Sequence, residues 1–135
     1  MYLKIDHLGI AVTSLEEAVQ LYQTAFGLKL TAIEELAGEG ARVAMLPVGE
    51  SRIELLAGLS ADSHVSRFIS RFGEGIHHIC FEVDDIRKEL TRLKAAGVRL
   101  IDDTPRRGAG GALVAFVHPS GARGVLVELI QRVDH

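Results

Sequence analysis

A chain of 135 residues suffices for one compact domain or two half-size modules sharing a core, and 47% hydrophobic residues exclude a disordered chain. A formal net charge of −3 with no basic run argues against a nucleic-acid surface. The single cysteine, Cys80, excludes an internal disulfide and a cysteine-rich zinc site, and its place in a short strand suits packing.

No apolar run approaches the roughly 20 residues of a membrane helix, and the chain enters its first strand without a signal or transit segment, so a soluble cytoplasmic protein is expected. Residues 3–12 alternate as a strand, with Leu3, Ile5, Leu8, Ile10 and Val12 apolar. Thr13 or Ser14 caps the helix that follows, and Glu16 and Glu17 sit in its first turn, where the dipole favours anions. Leu15, Ala18, Val19, Leu21, Tyr22 and Phe26 form its apolar stripe, with Tyr22 and Phe26 read as core, and Gly27 stops it. Residues 28–36 read as a second strand, Gly38-Glu39-Gly40 as a turn, 42–48 as a third strand and 52–57 as a fourth. Residues 58–74 connect onward through a helix capped by Asp62 or Ser63 and carrying Val65, Phe68 and Ile69.

The same order then returns. A strand from Ile76 leads to Asp84-Asp85 and a helix with Ile86, Leu90 and Leu93 buried, ending at Gly97. Residues 98–101 read as a strand, and 105–111 as an irregular glycine-rich loop holding Arg106, Arg107 and Gly110. Residues 112–117 and 124–131 are the last strands, joined by His118-Pro119-Ser120-Gly121. His78 follows His7 by 71 residues and Glu128 follows Glu54 by 74, so a histidine opens, and a glutamate closes, each copy. The expected fold is α+β within a single domain, 1–135: module one over about 3–57, a linker helix over 58–74 and module two over 75–132. Two βαβββ modules of this kind can join edge to edge as a curved mixed sheet around a central site, helices outside.

A glutamate inside Ile53-Glu54-Leu55-Leu56, repeated in Val127-Glu128-Leu129-Ile130, calls for a partner, because an unpaired buried carboxylate is costly. His7, Glu54, His78 and Glu128 are read as one metal site; imidazoles and carboxylates without thiolate suit Co, Mn, Ni, Zn or Fe. His77 alternates with His78 and points away from the ligand face. His118 stands open between turn residue and ligand contact, and His64 and His135 read as surface positions. Arg106 and Arg107 stand open between meeting a carboxylate or phosphate and simple solvation.

The pieces Asp6-His7-Leu8-Gly9-Ile10-Ala11-Val12, Gly73-Glu74-Gly75-Ile76-His77-His78-Ile79, Gly108-Ala109-Gly110-Gly111, Phe116-Val117-His118-Pro119 and Gly124-Val125-Leu126-Val127-Glu128-Leu129 resemble the methylmalonyl-CoA epimerase family of the vicinal oxygen chelate (glyoxalase-like) superfamily. The resemblance covers essentially the whole chain. It implies the glyoxalase-like fold, one divalent ion with Co2+ favoured and Mn2+, Ni2+ or Zn2+ as alternatives, an acyl-CoA substrate and a homodimer. It implies epimerisation of (2R)- and (2S)-methylmalonyl-CoA through a metal-stabilised enolate, as in propionate metabolism. His7, His78 and Glu128 match family ligands, and Glu54 occupies the fourth ligand position, where some epimerases have Gln. Glu54 and Glu128 are then the expected catalytic pair, with Arg106, Arg107, Gly110 and His118 on the substrate. Where one bacterial form carries a proposed catalytic Glu on the third strand, this chain has Val43. The alternatives are a glyoxalase I (lactoylglutathione lyase) using the same four ligands, a metal-free small-molecule-binding protein of the superfamily, and an extradiol dioxygenase, which the fourth ligand Glu54 disfavours.

Overall fold

The computed structural model describes residues 1–132, so His135 lies outside the described residues. The chain packs as two compact units, one of His7–His77 and the other of Met1–Asp6 with the chain from His78 onward.

In the first unit, β1 (Tyr2–Ala11, entering the unit at His7) leads through Ser14 to α1 (Leu15–Thr24). Ser14 settles the choice of cap: its hydroxyl accepts from the Glu17 backbone N–H. Three strands follow, β2 (Ala32–Leu36), β3 (Ala41–Val48) and β4 (Ser51–Gly58), then α2 (His64–Phe72), capped by Ser63. The order β2-β3-β4-β1 makes a mixed sheet, antiparallel through β2, β3 and β4 and parallel between β4 and β1. Alternation along the strands sorts two cores onto opposite faces. Val12, Leu15, Val19, Ala44, Leu46, Leu55 and Ala57 pack beneath α1, and Arg42 on that face pairs with Glu16 of the helix. Ala11, Ala41, Val43, Leu56 and Val65 pack on the other face beneath α2. Val43 is therefore a packing residue, 3% exposed.

The second unit repeats the plan. It runs β5 (Gly75–Val83, entering the unit at His78), α3 (Ile86–Ala95), β6 (Arg106–Arg107), β7 (Leu113–Val117) and β8 (Val127–Gln131), with Asp85 capping α3 through the Lys88 N–H. The order β5-β8-β7-β6 is again mixed, with β5 and β8 parallel. Val83, Ile86, Leu90, Ala115 and Leu129 fill the core under α3. Cys80 is buried with Ala112, Val114 and Ile130 on the opposite face, the packing role expected of it. Two βαβββ modules with mixed sheets are thus what the chain forms.

Four local expectations are corrected. Phe26 is 64% exposed, because α1 ends at Thr24 and carries its ring off the sheet. The strand expected from residue 28 starts at Ala32. Residues 98–101 supply one isolated bridge, Leu100 to Val117, rather than a strand. Arg106 and Arg107, expected in irregular chain, pair antiparallel with Val114 and Leu113 before the glycines begin.

The Tyr2 phenol donates to Glu89 Oε2 at 2.6 Å, and Arg92 grips the same carboxylate with two hydrogen bonds. Burial and the Glu89 bond push the Tyr2 pKa up to about 12. Between the ordinary tyrosine value of about 10 and that value, the unfolded chain has lost a proton that the folded one keeps. This contribution to stability is present below about pH 10 and lost as the pH rises toward 12. Phenolate absorbance should show one of the two tyrosines titrating near 12, and Glu89→Gln should move that midpoint down. An unchanged midpoint in the variant would remove Glu89 as a cause.

Candidate active site

Each unit places one histidine against one glutamate by the same strand register. In the first unit Gly9, two residues after His7, pairs with Glu54, so Glu54 stands diagonally across the parallel ladder from His7. In the second, Cys80, two residues after His78, pairs with Glu128 and repeats that diagonal. This diagonal brings His7 Nε2 to 3.7 Å from Glu54 Oε1 and His78 Nε2 to 3.1 Å from Glu128 Oε1. The four residues are between 3% and 7% exposed. Two carboxylates buried to that degree on apolar strands meet the chemical requirement for a cation, or a cationic partner, close by.

The neighbouring rows repeat as well. Met45 lies beside Glu54 on β3, and Phe116 beside Glu128 on β7. The Phe116 ring meets the His78 imidazole edge-on, with centroids 5.9 Å apart, and fixes its plane. The Arg106 guanidinium lies over the Phe116 ring, 5.4 Å from its centre. Asp102 ties the group together: one oxygen accepts from the Phe116 backbone N–H at 2.8 Å, the other lies 3.5 Å from Arg106 Nε. Sequence reasoning quoted Phe116 only within the Phe116-Val117-His118-Pro119 motif, without a role, and missed Asp102. The signal for Phe116 was its alignment with Met45, beside a ligand position in each copy.

Arg107 turns the other way and donates to the Gly111 carbonyl, bracing the glycine loop. In that loop Gly108 is required by contact, since a Cβ there would sit 2.8 Å from Val114 Cγ1. Gly110 is required by conformation, with φ at +68°. His118 Nδ1 accepts from the Ser120 N–H at 3.0 Å, which leaves its proton on Nε2. His77 packs edge-on against Phe68 of α2. His64 is exposed. Asp6, before His7, is wholly buried and takes two hydrogen bonds from Arg132 Nη2 at 3.0 and 2.9 Å.

Residues 6–116 match the model of the glyoxalase/bleomycin resistance protein/dioxygenase superfamily. The chain belongs to this superfamily. Ethylmalonyl-CoA/methylmalonyl-CoA epimerase of Cereibacter sphaeroides is 38% identical over 95% of this chain and 97% of its own length. Among solved structures, methylmalonyl-CoA epimerase of Mycobacterium tuberculosis is 35% identical with a TM-score of 0.93, covering 97% of this chain and 89% of that one. A methylmalonyl-CoA epimerase in complex with methylmalonyl-CoA and NH4+ is 34% identical with a TM-score of 0.95, covering 98% of this chain and 96% of that one. The fold is the glyoxalase-like one of these epimerases. Among the described residues no helix is long and apolar enough to cross a membrane.

Proposed function

We propose that the chain is an isomerase that interconverts the (2R) and (2S) epimers of methylmalonyl-CoA, with His7, Glu54, His78 and Glu128 holding one divalent ion. The near-full-length likeness to methylmalonyl-CoA epimerases, one of them with that substrate bound, carries the reading. The twice-repeated His–Glu register supports the ligand set, because the same donors recur at equivalent places in both modules. Neutral imidazoles with carboxylates and no thiolate fit a borderline-to-hard divalent cation, with cobalt the first choice. When bound, the cation withdraws electron density from the thioester carbonyl and so acidifies C2.

Epimerisation then needs a proton taken from one face of C2 and one returned to the other. Glu54 and Glu128, at matched positions in the two modules, are the acid–base pair of this proposal. Each is embedded in apolar strand, so water competes little for its oxygens. The Phe116 ring limits rotation of His78 and keeps Glu128 in register with it. Arg106, drawn over the Phe116 ring on the ligand face, meets an anionic group of the CoA ester. Arg107 holds the loop of Gly110 through Gly111, and His118 presents an Nε2–H donor from its turn. A homodimer in the cytoplasm completes the reading, and light scattering of the purified protein tests the assembly.

Replacing Arg106 and Arg107 together by alanine is expected to raise KM for the CoA ester more than for a truncated pantetheine ester. Equal effects on both substrates would place these side chains away from the CoA phosphates. The activity itself is tested by giving the metal-loaded protein a single C2 epimer. A mixture of both epimers that fails to appear after chelation is the expected result, and persistence of the single epimer under both conditions would contradict it.

A further inference from the structure

Arg132 follows the last residue of β8, and the proton chemistry proposed for C2 does not use it. Alternation along β8 carries Glu128, Ile130 and Arg132 to one side of the second sheet. The guanidinium is anchored: Nη2 donates to both oxygens of wholly buried Asp6, at 3.0 and 2.9 Å. The Asp6 carboxylate lies within 4.8 Å of Cys80 Sγ, and Cys80 stands beside Glu128 in the β5–β8 ladder. Through Asp6 and Cys80 the cation is thus tied to the row that holds Glu128.

An arginine that served only to neutralise Asp6 would grip it side-on, Nε and Nη2 each giving a bond to one oxygen. Here Nη2 alone takes both oxygens. Among the described residues Nε is buried with no partner, and Nη1 makes no hydrogen bond either. Unlike Nε, Nη1 is not sealed off, and the side chain is 23% exposed. Gly110 stands beside it: a Cβ there would be 4.0 Å from Nη1, and the bare glycine leaves the approach open. An orientation that strands one donor and frees another needs a reason, and an anion at Nη1 supplies it. The repeat shows that the fold itself does not ask for this arginine. At the 74-residue spacing of Glu54 and Glu128, its equivalent in the first module is Gly58, where a Cβ would collide with the hydroxyls of Ser63 and Ser66. The start of α2 fills that place in the first module, and a cation stands there in the second.

We propose that Arg132 is a specificity-determining residue whose Nη1 binds the carboxylate of the malonyl thioester, with Asp6 holding the guanidinium in place. The assignment rests on the epimerase reading. That carboxylate is bonded to C2 itself and so must be held close to the acid–base pair, whereas the CoA phosphates lie a pantetheine chain away. A cation tied to the row of Glu128 suits the former. A guanidinium N–H meets a carboxylate in a charge-assisted hydrogen bond, which contributes about tenfold or more in affinity. With the carboxylate held at one end and the thioester at the other, the plane of the enolate is fixed, and protons reach C2 only from its two faces.

Malonyl-CoA and acetyl-CoA differ by that carboxylate alone, and titration calorimetry on the metal-loaded protein compares them. The unaltered protein should bind malonyl-CoA the more tightly. Arg132→Lys keeps a cation for Asp6 but removes Nη1. It should weaken malonyl-CoA binding about tenfold and leave acetyl-CoA within about twofold, with the circular dichroism of the folded protein unchanged. A second measurement needs no variant to fold. In the unaltered protein phenylglyoxal should modify Arg132, and malonyl-CoA should slow that modification, read by mass spectrometry of its peptide, where acetyl-CoA does not. A preference for malonyl-CoA kept in Arg132→Lys, an equal weakening of both esters, or modification of Arg132 that the two esters affect alike would each overturn the assignment. An unaltered protein that binds neither ester would reject the epimerase reading itself.

Discussion

Replacing His78 by alanine is expected to remove the divalent ion and, with it, epimerisation, while both sheets remain folded. The imidazole is 4% exposed, its Nε2 lies 3.1 Å from Glu128 Oε1, and Phe116 fixes its plane. Nothing else on that side of β5 offers a nitrogen donor at this place, since His77 is committed to the packing around Phe68. Loss of a partner that merely orients a ligand costs about 10–100-fold in metal affinity or activity, and loss of the ligand itself should cost more. His7→Ala should act alike, because His7 occupies the same register against Glu54. Metal analysis after dialysis, with far-ultraviolet circular dichroism to monitor the fold, reads the result. Full occupancy in both variants at low metal concentration would show the ligand assignment to be wrong.

The second large effect is expected at Glu54. Val43 is sealed in an apolar cluster with Ala11, Ala41, Leu56 and Val65 and cannot move a proton. On the first module's side the acid in the ligand row is Glu54, flanked by Gly9 and Met45. Glu54→Gln should keep most metal binding, since an amide oxygen still coordinates, while epimerisation falls by roughly 10²–10⁴-fold. Deuterium exchange from one C2 epimer should survive, because Glu128 would still serve its own face. An active Glu54→Gln protein with normal metal content would exclude Glu54 as a base.

The His–Glu site could be read in the sequence because it is duplicated. One glutamate in a strand is ambiguous, but His7 and Glu54 recurring as His78 and Glu128 fixed both the modules and the ligands expected of them. The helices were equally legible from their Ser14, Ser63 and Asp85 caps. What escaped depends on lateral register, which a linear pattern does not carry. Asp102 acts on Phe116 across 14 positions, and Arg132 reaches Asp6 across 126. Phe26 failed for a local reason: the helical stripe was extended past Thr24, where the backbone leaves the helix.

As an epimerase, this chain must move a proton on and off C2 of a malonyl thioester. Incubating the metal-loaded protein with (2S)-methylmalonyl-CoA in deuterated water, and following C2 by nuclear magnetic resonance and mass, tests it directly. Deuterium should enter C2 as the (2R) epimer forms, faster than in a control without protein, and chelation should stop both. Retention of hydrogen at C2 with the (2S) epimer intact would show that the chain is not an epimerase of this substrate.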